Sequence, residues 1–126
     1  KPDGFVWDKC LDRCLITPSS VMIKRRVYDY IGGFDSRLAA CEDYDLWLRL
    51  SRCFLVGLEP SCSLTKFGGH SDQLSMAFSL LDRFRLFALK QQFYTEKHSF
   101  FKQKLEQMIA AKEKIVYAGA LKRSLI

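Results

Sequence analysis

The 126-residue sequence lacks any apolar run near the roughly 20 residues that a membrane-spanning helix needs. It starts KPDG, with no signal-peptide pattern and no initiating Met, which suggests a cut from something longer. Its five cysteines are an odd number without a Cys-x-x-Cys, and the two histidines lack zinc-ligand spacing from them. We therefore expect reduced cysteines in a cytoplasmic protein, with the inner face of the membrane as an option.

The charge balance points to anionic partners without choosing among them. Twenty Lys and Arg against 14 Asp and Glu give a formal charge of +6, which suits nucleotide diphosphates, phospholipid head groups or nucleic acid. Nucleic acid is the least favoured because no recognised binding motif accompanies the charge. The apolar content of 48% predicts a real core, and the length fits one compact domain.

The chain divides into two regions that differ in amino-acid composition. All prolines and all glycines except Gly119 lie within the first 70 residues, and the rest reads as long helix. We predict an α/β fold, with an acceptor-side α/β segment over 1–70 and a helical hairpin over 71–126. The predicted strands cover 20–24, 53–58 and 62–67, and the predicted helices cover 25–31, 42–52, 72–94 and 100–118.

The most informative stretch is the predicted helix at 42–52. Asp43 shares a helical face with Leu46, Trp47 and Leu50, so three apolar side chains point its carboxylate toward the interior or a cleft. Helix capping explains an acid in the first turn equally simply, and that alternative stays open. Asp45 and Arg49, four residues apart on another face, predict an ordinary ion pair.

Several motifs in order give a resemblance to a known family. These are TPSSVMI at 17–23, GGFD at 32–35, EDYDLWLR at 42–49, GGHSDQLS at 68–75 and LDRFR at 81–85. Together they resemble the C-terminal portion of family-two glycosyltransferases of the A-type fold, in a bacterial branch. The resemblance covers roughly residues 15 to 90 and implies sugar transfer from a nucleotide sugar to an acceptor glycan or lipid-linked acceptor.

The resemblance implies roles for individual residues in an inverting transfer. Asp43 matches the family's general base, and Glu42 is expected to orient the acceptor. His70 matches a ligand of the divalent metal, Mg or Mn, that holds the diphosphate, although a loop histidine is more often plain polar surface. Three further side chains could face the diphosphate or simply cover a helix surface: Gln73, Arg83 and Arg85.

One part of the family pattern is missing. Full-length members place a nucleotide-binding half with an Asp-x-Asp metal motif before this segment, and a helical setting separates the two acids of Asp43-Tyr44-Asp45 onto different faces. The chain alone is therefore expected to be inactive. Strands without their sheet would expose edges, so we also expect a homodimer or strand exchange.

Two other hypotheses remain open. The first is a non-enzymatic basic helical module that binds an anionic membrane surface or a partner protein. The +6 charge and the aromatic-rich hairpin support this hypothesis. Peripheral membrane contact would also suit a transferase with lipid-linked acceptors. A purely structural remnant is less attractive because the acidic pair is intact.

Overall fold

Helices dominate the architecture, which a computed structural model describes over residues 3–62, 64–65 and 81–124. A single 3-10 turn, Pro18–Ser20, lies between the first two helices. In chain order the α-helices of these ranges are α1 (Trp7–Cys10), α2 (Arg25–Ile31), α3 (Glu42–Cys53), α4 (Leu81–Thr95) and α5 (Ser99–Ser124).

Local signals account for α2 and α3, and both predicted helices are confirmed. Gly32 ends α2 in the left-handed conformation at a φ of 85°, which glycine adopts without steric cost. The backbone N–H groups of Gly32 and Gly33 each donate to the Tyr28 carbonyl at 3.1 Å, satisfying the helix end. The α3 helix has acids in its first turn and Arg52 in its last, as the helix dipole favours.

The predicted helical hairpin is also confirmed over its described part. The α4 and α5 helices pack along each other, separated by the break predicted near residues 95 to 99. Lys90 of α4 and Glu113 of α5 form an ion pair at 2.7 Å. The second helix extends to Ser124, past the predicted end at 118. The predicted start of the first helix, at 71 or 72, lies outside the described residues.

Two buried clusters hold the helices together. The first cluster joins α1, α3, α4 and α5, and the second lies between α3, α2 and the segments that flank them. The buried members of the first are Val6, Trp7, Cys10, Leu11, Tyr44, Leu48, Ala88, Leu89 and Leu105. The buried members of the second are Leu46, Trp47 and Leu50.

The predicted α/β fold is wrong. Residues 3–62, 64–65 and 81–124 contain five α-helices, are 63% helical and include no strand. The family resemblance is wrong for the same reason, because the A-type glycosyltransferase fold is mixed α/β and this chain is nearly all helical.

The predicted strands fail because an extended backbone also needs a pairing partner. Val21 and Phe54 both have extended dihedrals, as the β-branched and aromatic composition favours. Only one antiparallel bridge forms in the described residues, between Gly4 and Val56, with N–H···O distances of 2.7 and 2.9 Å. The β-propensity of these residues therefore accounts for their extended backbone. The ladder of hydrogen bonds that defines a sheet does not form in the described residues. The predicted strand at 62–67 lies partly outside the described residues.

Arg49 ties the end of α2 to α3. Its guanidinium binds Asp45 Oδ2 at 2.6 and 2.9 Å, and donates to the carbonyls of Ile31 and Gly33 at 2.7 Å each. Asp45 is 5% exposed. The predicted ion pair is confirmed, but it is partly buried and also satisfies carbonyls at a helix end.

Replacing Arg49 with lysine is expected to lower the free energy of unfolding by about 2 kcal/mol, because an ammonium cannot reproduce the forked contacts. Urea denaturation followed by circular dichroism measures this loss. Arg25→Lys is the matched control, since Arg25 pairs with Asp29 on an exposed surface and should change little. Equal effects of the two substitutions would contradict the structural role of Arg49.

Candidate functional site

Asp43 lies at the open end of a buried helical face. Leu46, Trp47 and Leu50 of the same face are buried in the second cluster, as the spacing predicted, while Asp43 is half-buried. Its Oδ1 accepts a hydrogen bond from the backbone N–H of Tyr44 at 2.7 Å. One carboxylate oxygen therefore serves the first turn of α3, which agrees with the capping alternative, and the other is directed elsewhere.

Asp43 also lines a small cavity. Its Oδ2 accepts from the thiol of Cys14 at 3.4 Å. The cavity has a volume of about 460 Å³, within the usual range of small-molecule sites. Its other lining residues are Leu15, Ile16, Thr17, Ser20 and Leu64. A carboxylate and two hydroxyl-bearing residues therefore share one concave, partly apolar surface.

The thiol of Cys14 is held in its neutral form. Burial and, after it, the nearby Asp43 carboxylate together raise the pKa of Cys14 to about 12, because a thiolate there would be poorly solvated and would face a like charge. The thiol also donates to the Ile16 carbonyl at 3.2 Å. Cys14 is thus a hydrogen-bond donor to the cavity wall, and it is poorly suited to act as a nucleophile at neutral pH.

Alkylation rates should report this environment. At pH 8 the raised pKa leaves almost no Cys14 thiolate, so iodoacetamide should modify Cys14 far more slowly than a solvent-exposed thiol, with the rate rising as pH increases. Exposed Cys53 is the internal comparison. Peptide-resolved mass spectrometry measures both rates, and Asp43→Asn should accelerate modification at Cys14 alone. Equal rates at the two cysteines would contradict the arrangement.

The other predicted site residues differ in their distance from Asp43 and in their exposure. Glu42, the first residue of α3, is half-buried, and Arg83 is exposed on α4. Arg85 faces the beginning of α3, with its guanidinium carbon 6.0 Å from the centre of the Tyr44 ring. Two candidates, His70 and Gln73, lie outside the described residues. The structure therefore brings Arg85 to the same helix end as the acidic pair and leaves Arg83 at the surface.

An ion-pair network lies beside this helix end. Asp82 Oδ1 binds both Arg85 Nη1 and Lys112 Nζ at 3.2 Å. Lys112 is only 5% exposed, and it also approaches Asp12 at 3.7 Å. Asp82 thus holds two cations, and it connects α4 to the centre of α5.

The described residues do not supply a metal site. No group of three or more His, Cys, Asp or Glu side chains among residues 3–62, 64–65 and 81–124 is placed to hold an ion. The predicted ligand His70 lies outside these ranges. The residues present therefore do not fit a divalent metal by themselves, and no catalytic step is derived through one.

Sequence reasoning missed most of the cavity around Asp43. Ser20 is the first residue of the predicted strand at 20–24, Thr17 lies just before that strand, and the sequence pattern gives Cys14 no role. The signal that pointed there was the run of small hydroxyl residues, TPSS, at 17–20. The Asp82–Lys112 pair gave no signal, because the partners lie 30 residues apart on different helices.

No protein-family model, curated protein or solved structure matches the chain. Within the described residues, no helix is both long enough and apolar enough to cross a membrane. The cavity at Asp43 and the surfaces around it are therefore the features that can indicate a function.

Proposed function

We propose that this chain takes part in the transfer of a sugar from a nucleotide-sugar donor to an acceptor hydroxyl, with inversion at the anomeric carbon. Its contribution is the acceptor side, and Asp43 is the general base. The observation that supports this is the Asp43 side chain, which lines a cavity together with Thr17 and Ser20. The cavity supports only the carboxylate and its hydroxyl-bearing neighbours, whereas the nucleotide-sugar donor, the inversion and the roles of the other residues are expectations from the sequence motifs, whose family resemblance the fold contradicts.

The chemistry requires a proton acceptor beside the nucleophile. An alcohol is weakly nucleophilic at neutral pH, so a carboxylate within hydrogen-bond reach must take its proton as the new bond forms. The acceptor oxygen attacks the anomeric carbon of the donor, the proton passes to Asp43 Oδ2, and the bond to the diphosphate breaks to release a nucleoside diphosphate. Both hydroxyl-bearing wall residues can orient an acceptor sugar by hydrogen bonds.

The remaining residues take supporting roles in this proposal. Glu42 orients the acceptor from the first position of α3, and exposed Arg83 can meet the diphosphate. Arg85 already binds Asp82, so its contribution is to hold the beginning of α3 beside α4. His70 and Gln73 keep their proposed roles toward metal and diphosphate. The donor is held largely outside this chain, which alone is expected to be inactive.

Donor turnover tests the proposal in the protein as it occurs in its own cells, with the partners it keeps on purification. Nucleoside diphosphate release is measured over a panel of nucleotide sugars, with and without Mg or Mn, and with and without sugar alcohols as acceptors. We expect release that depends on an added acceptor and yields an inverted glycoside. Absence of turnover with every donor and acceptor would contradict the proposal.

A second candidate function is favoured by the outer surface of α5. Four exposed lysines lie there beside four exposed apolar side chains, which suits a basic module on an anionic membrane. The lysines are Lys102, Lys104, Lys114 and Lys122; the apolar residues are Phe100, Ile115, Tyr117 and Leu121. The two kinds are interleaved along the helix, whereas an interfacial helix separates them into two faces, so this function ranks second.

Both candidates suit a cytoplasmic protein at the inner face of the membrane, which we propose as its location. Sedimentation with phosphatidylserine vesicles separates the two functions. Binding that is lost on Lys114→Gln with Lys122→Gln, in a protein without donor turnover, would favour the membrane module. Dimerisation stays a prediction, to be checked by light scattering.

A further inference from the structure

A second, larger cavity adjoins the Asp43 cavity. It is an open cleft of about 1220 Å³ between α2, α3 and the extended segment that follows α3. The two cavities share four lining residues: Leu15, Ile16, Ser20 and Leu64. The two cavities are therefore neighbours, and Asp43 lies on the wall of the smaller one.

The inner wall of the cleft is apolar. Its lining includes Ile16, Val21, Val27, Leu50, Phe54 and Val56. Two exposed apolar residues extend the lining outward, Met22 at 99% exposure and Leu55 at 75%. Such a surface gains free energy when an apolar chain covers it.

Trp47 adds a polar feature to the cleft. It is among the lining residues, it is 3% exposed, and its indole Nε1–H has no hydrogen-bond partner in the described residues. A buried unpaired donor costs free energy until an acceptor atom reaches it. Apolar walls with a few polar groups are typical of small-molecule sites.

The charges along the cleft favour an acidic group. Lys24 and Arg26 both line it, both are exposed, and neither forms an ion pair with another described residue. Glu59 also lines the cleft and stays ionised, because the hydrogen bonds from Ser61 at 3.0 and 2.6 Å lower the pKa of its carboxyl, so two cations face one anion there. The neighbouring Arg25 is bound to Asp29 and does not line the cleft.

We infer that the acceptor is an amphiphile whose apolar chain lies in this cleft, whose acidic group meets Lys24 and Arg26, and whose hydroxyl reaches Asp43. This inference deepens the proposed function and rests on it for the role of the hydroxyl. The cleft alone selects the substrate class. The apolar walls select the chain, and two cations that form no ion pair with another described residue select a phosphate-type head group over a neutral one.

Isothermal titration of the full chain with decyl phosphate, below its micelle concentration, tests the inference. Decyl glucoside supplies the same chain without charge, and inorganic phosphate supplies the charge without a chain. Decyl phosphate should bind about tenfold more tightly than decyl glucoside, as two exposed charge contacts permit. Inorganic phosphate should bind more weakly than either.

Matched variants locate the bound probe. The double substitution Lys24→Gln with Arg26→Gln should abolish the tenfold preference, whereas Arg25→Gln should keep it. Leu55→Glu, which adds an acid at an exposed position of the cleft, should weaken binding about tenfold, and Leu121→Glu on α5 should not. Absence of binding by wild type, or equal effects of the cleft variants and their controls, would overturn the inference.

The same titration separates this inference from the proposed function. Asp43→Asn should not weaken decyl phosphate binding, because the probe has no acceptor hydroxyl for the carboxylate and the substitution removes a like charge from the neighbouring cavity. If sugar transfer depends on Asp43 but the probe does not bind, the inference of an amphiphilic acceptor is wrong, and the proposed sugar transfer is supported. If the probe binds as expected and transfer ignores Asp43, the cleft is a lipid-type site and the proposed base is wrong.

Discussion

Replacing Asp82 with asparagine should lower the free energy of unfolding by about 3 kcal/mol, since it leaves the buried charge of Lys112 without its main partner. Asp82 is the carboxylate that both Arg85 and Lys112 contact at 3.2 Å. Asp12 is 3.7 Å from Lys112 and 70% exposed, so it offsets only part of the loss. The expected value therefore lies at the low end for breaking a buried pair.

Urea denaturation of a double-mutant cycle measures this effect. Lys112→Met removes the buried charge, so adding it to Asp82→Asn should recover much of the lost stability. Glu113→Gln breaks an exposed pair with Lys90 and should cost less than about 1 kcal/mol. If Asp82→Asn behaves like Glu113→Gln, the network does not stabilise the hairpin.

Truncating Trp7 should be the most damaging single change to the core. Trp7 is fully buried, its ring lies 5.0 Å from that of Phe101 in an edge-on arrangement, and its Nε1 donates to Gln92 at 3.2 Å. Trp7→Ala removes a large aromatic side chain where α1 meets α4 and α5, and should lower the free energy of unfolding by about 3–5 kcal/mol.

Two variants calibrate the Trp7 prediction in the same denaturation assay. Trp7→Phe keeps most of the ring and loses the hydrogen bond to Gln92, so it should cost clearly less than alanine. Tyr117→Ala removes an aromatic side chain that is 72% exposed and should change stability little. A small effect of Trp7→Ala would mean that α1 is not part of the cooperative core.

Local signals predicted α2, α3, α4 and α5 but gave no indication of the short helix α1. The Gly32-Gly33 stop, the acids that open α3 and the helical spacing of the hairpin are all properties of a few neighbouring residues. The strands were wrong because pairing depends on distant segments: Val56 meets Gly4, 52 residues earlier, and no further ladder forms in the described residues. An extended preference at Val21 or Phe54 does not reveal what lies beside it.

In the candidate site, too, local spacing was predictable from the sequence and contacts between distant segments were not. Spacing alone placed Asp43 at the end of the Leu46–Trp47–Leu50 face, and the structure buries that face. The opposite wall comes from Cys14, which lies 29 residues earlier and reaches Asp43 only through the packing of the chain. The family resemblance predicted a fold that the packing contradicts, so the cavity at Asp43 is the part of the functional proposal that the structure supports.

The central claim is that Asp43 takes the proton of an acceptor hydroxyl. The rate of sugar transfer by wild type and Asp43→Asn, each purified with the partners that the protein keeps in its own cells, tests it most directly. Asp29→Asn, an exposed acid outside the cavity, is the control, and circular dichroism verifies that each variant is folded. We predict a loss of at least about 100-fold for Asp43→Asn, the low end for removing a general base, with Asp29→Asn unchanged. Wild-type turnover by Asp43→Asn would contradict the claim and leave Asp43 as a helix cap.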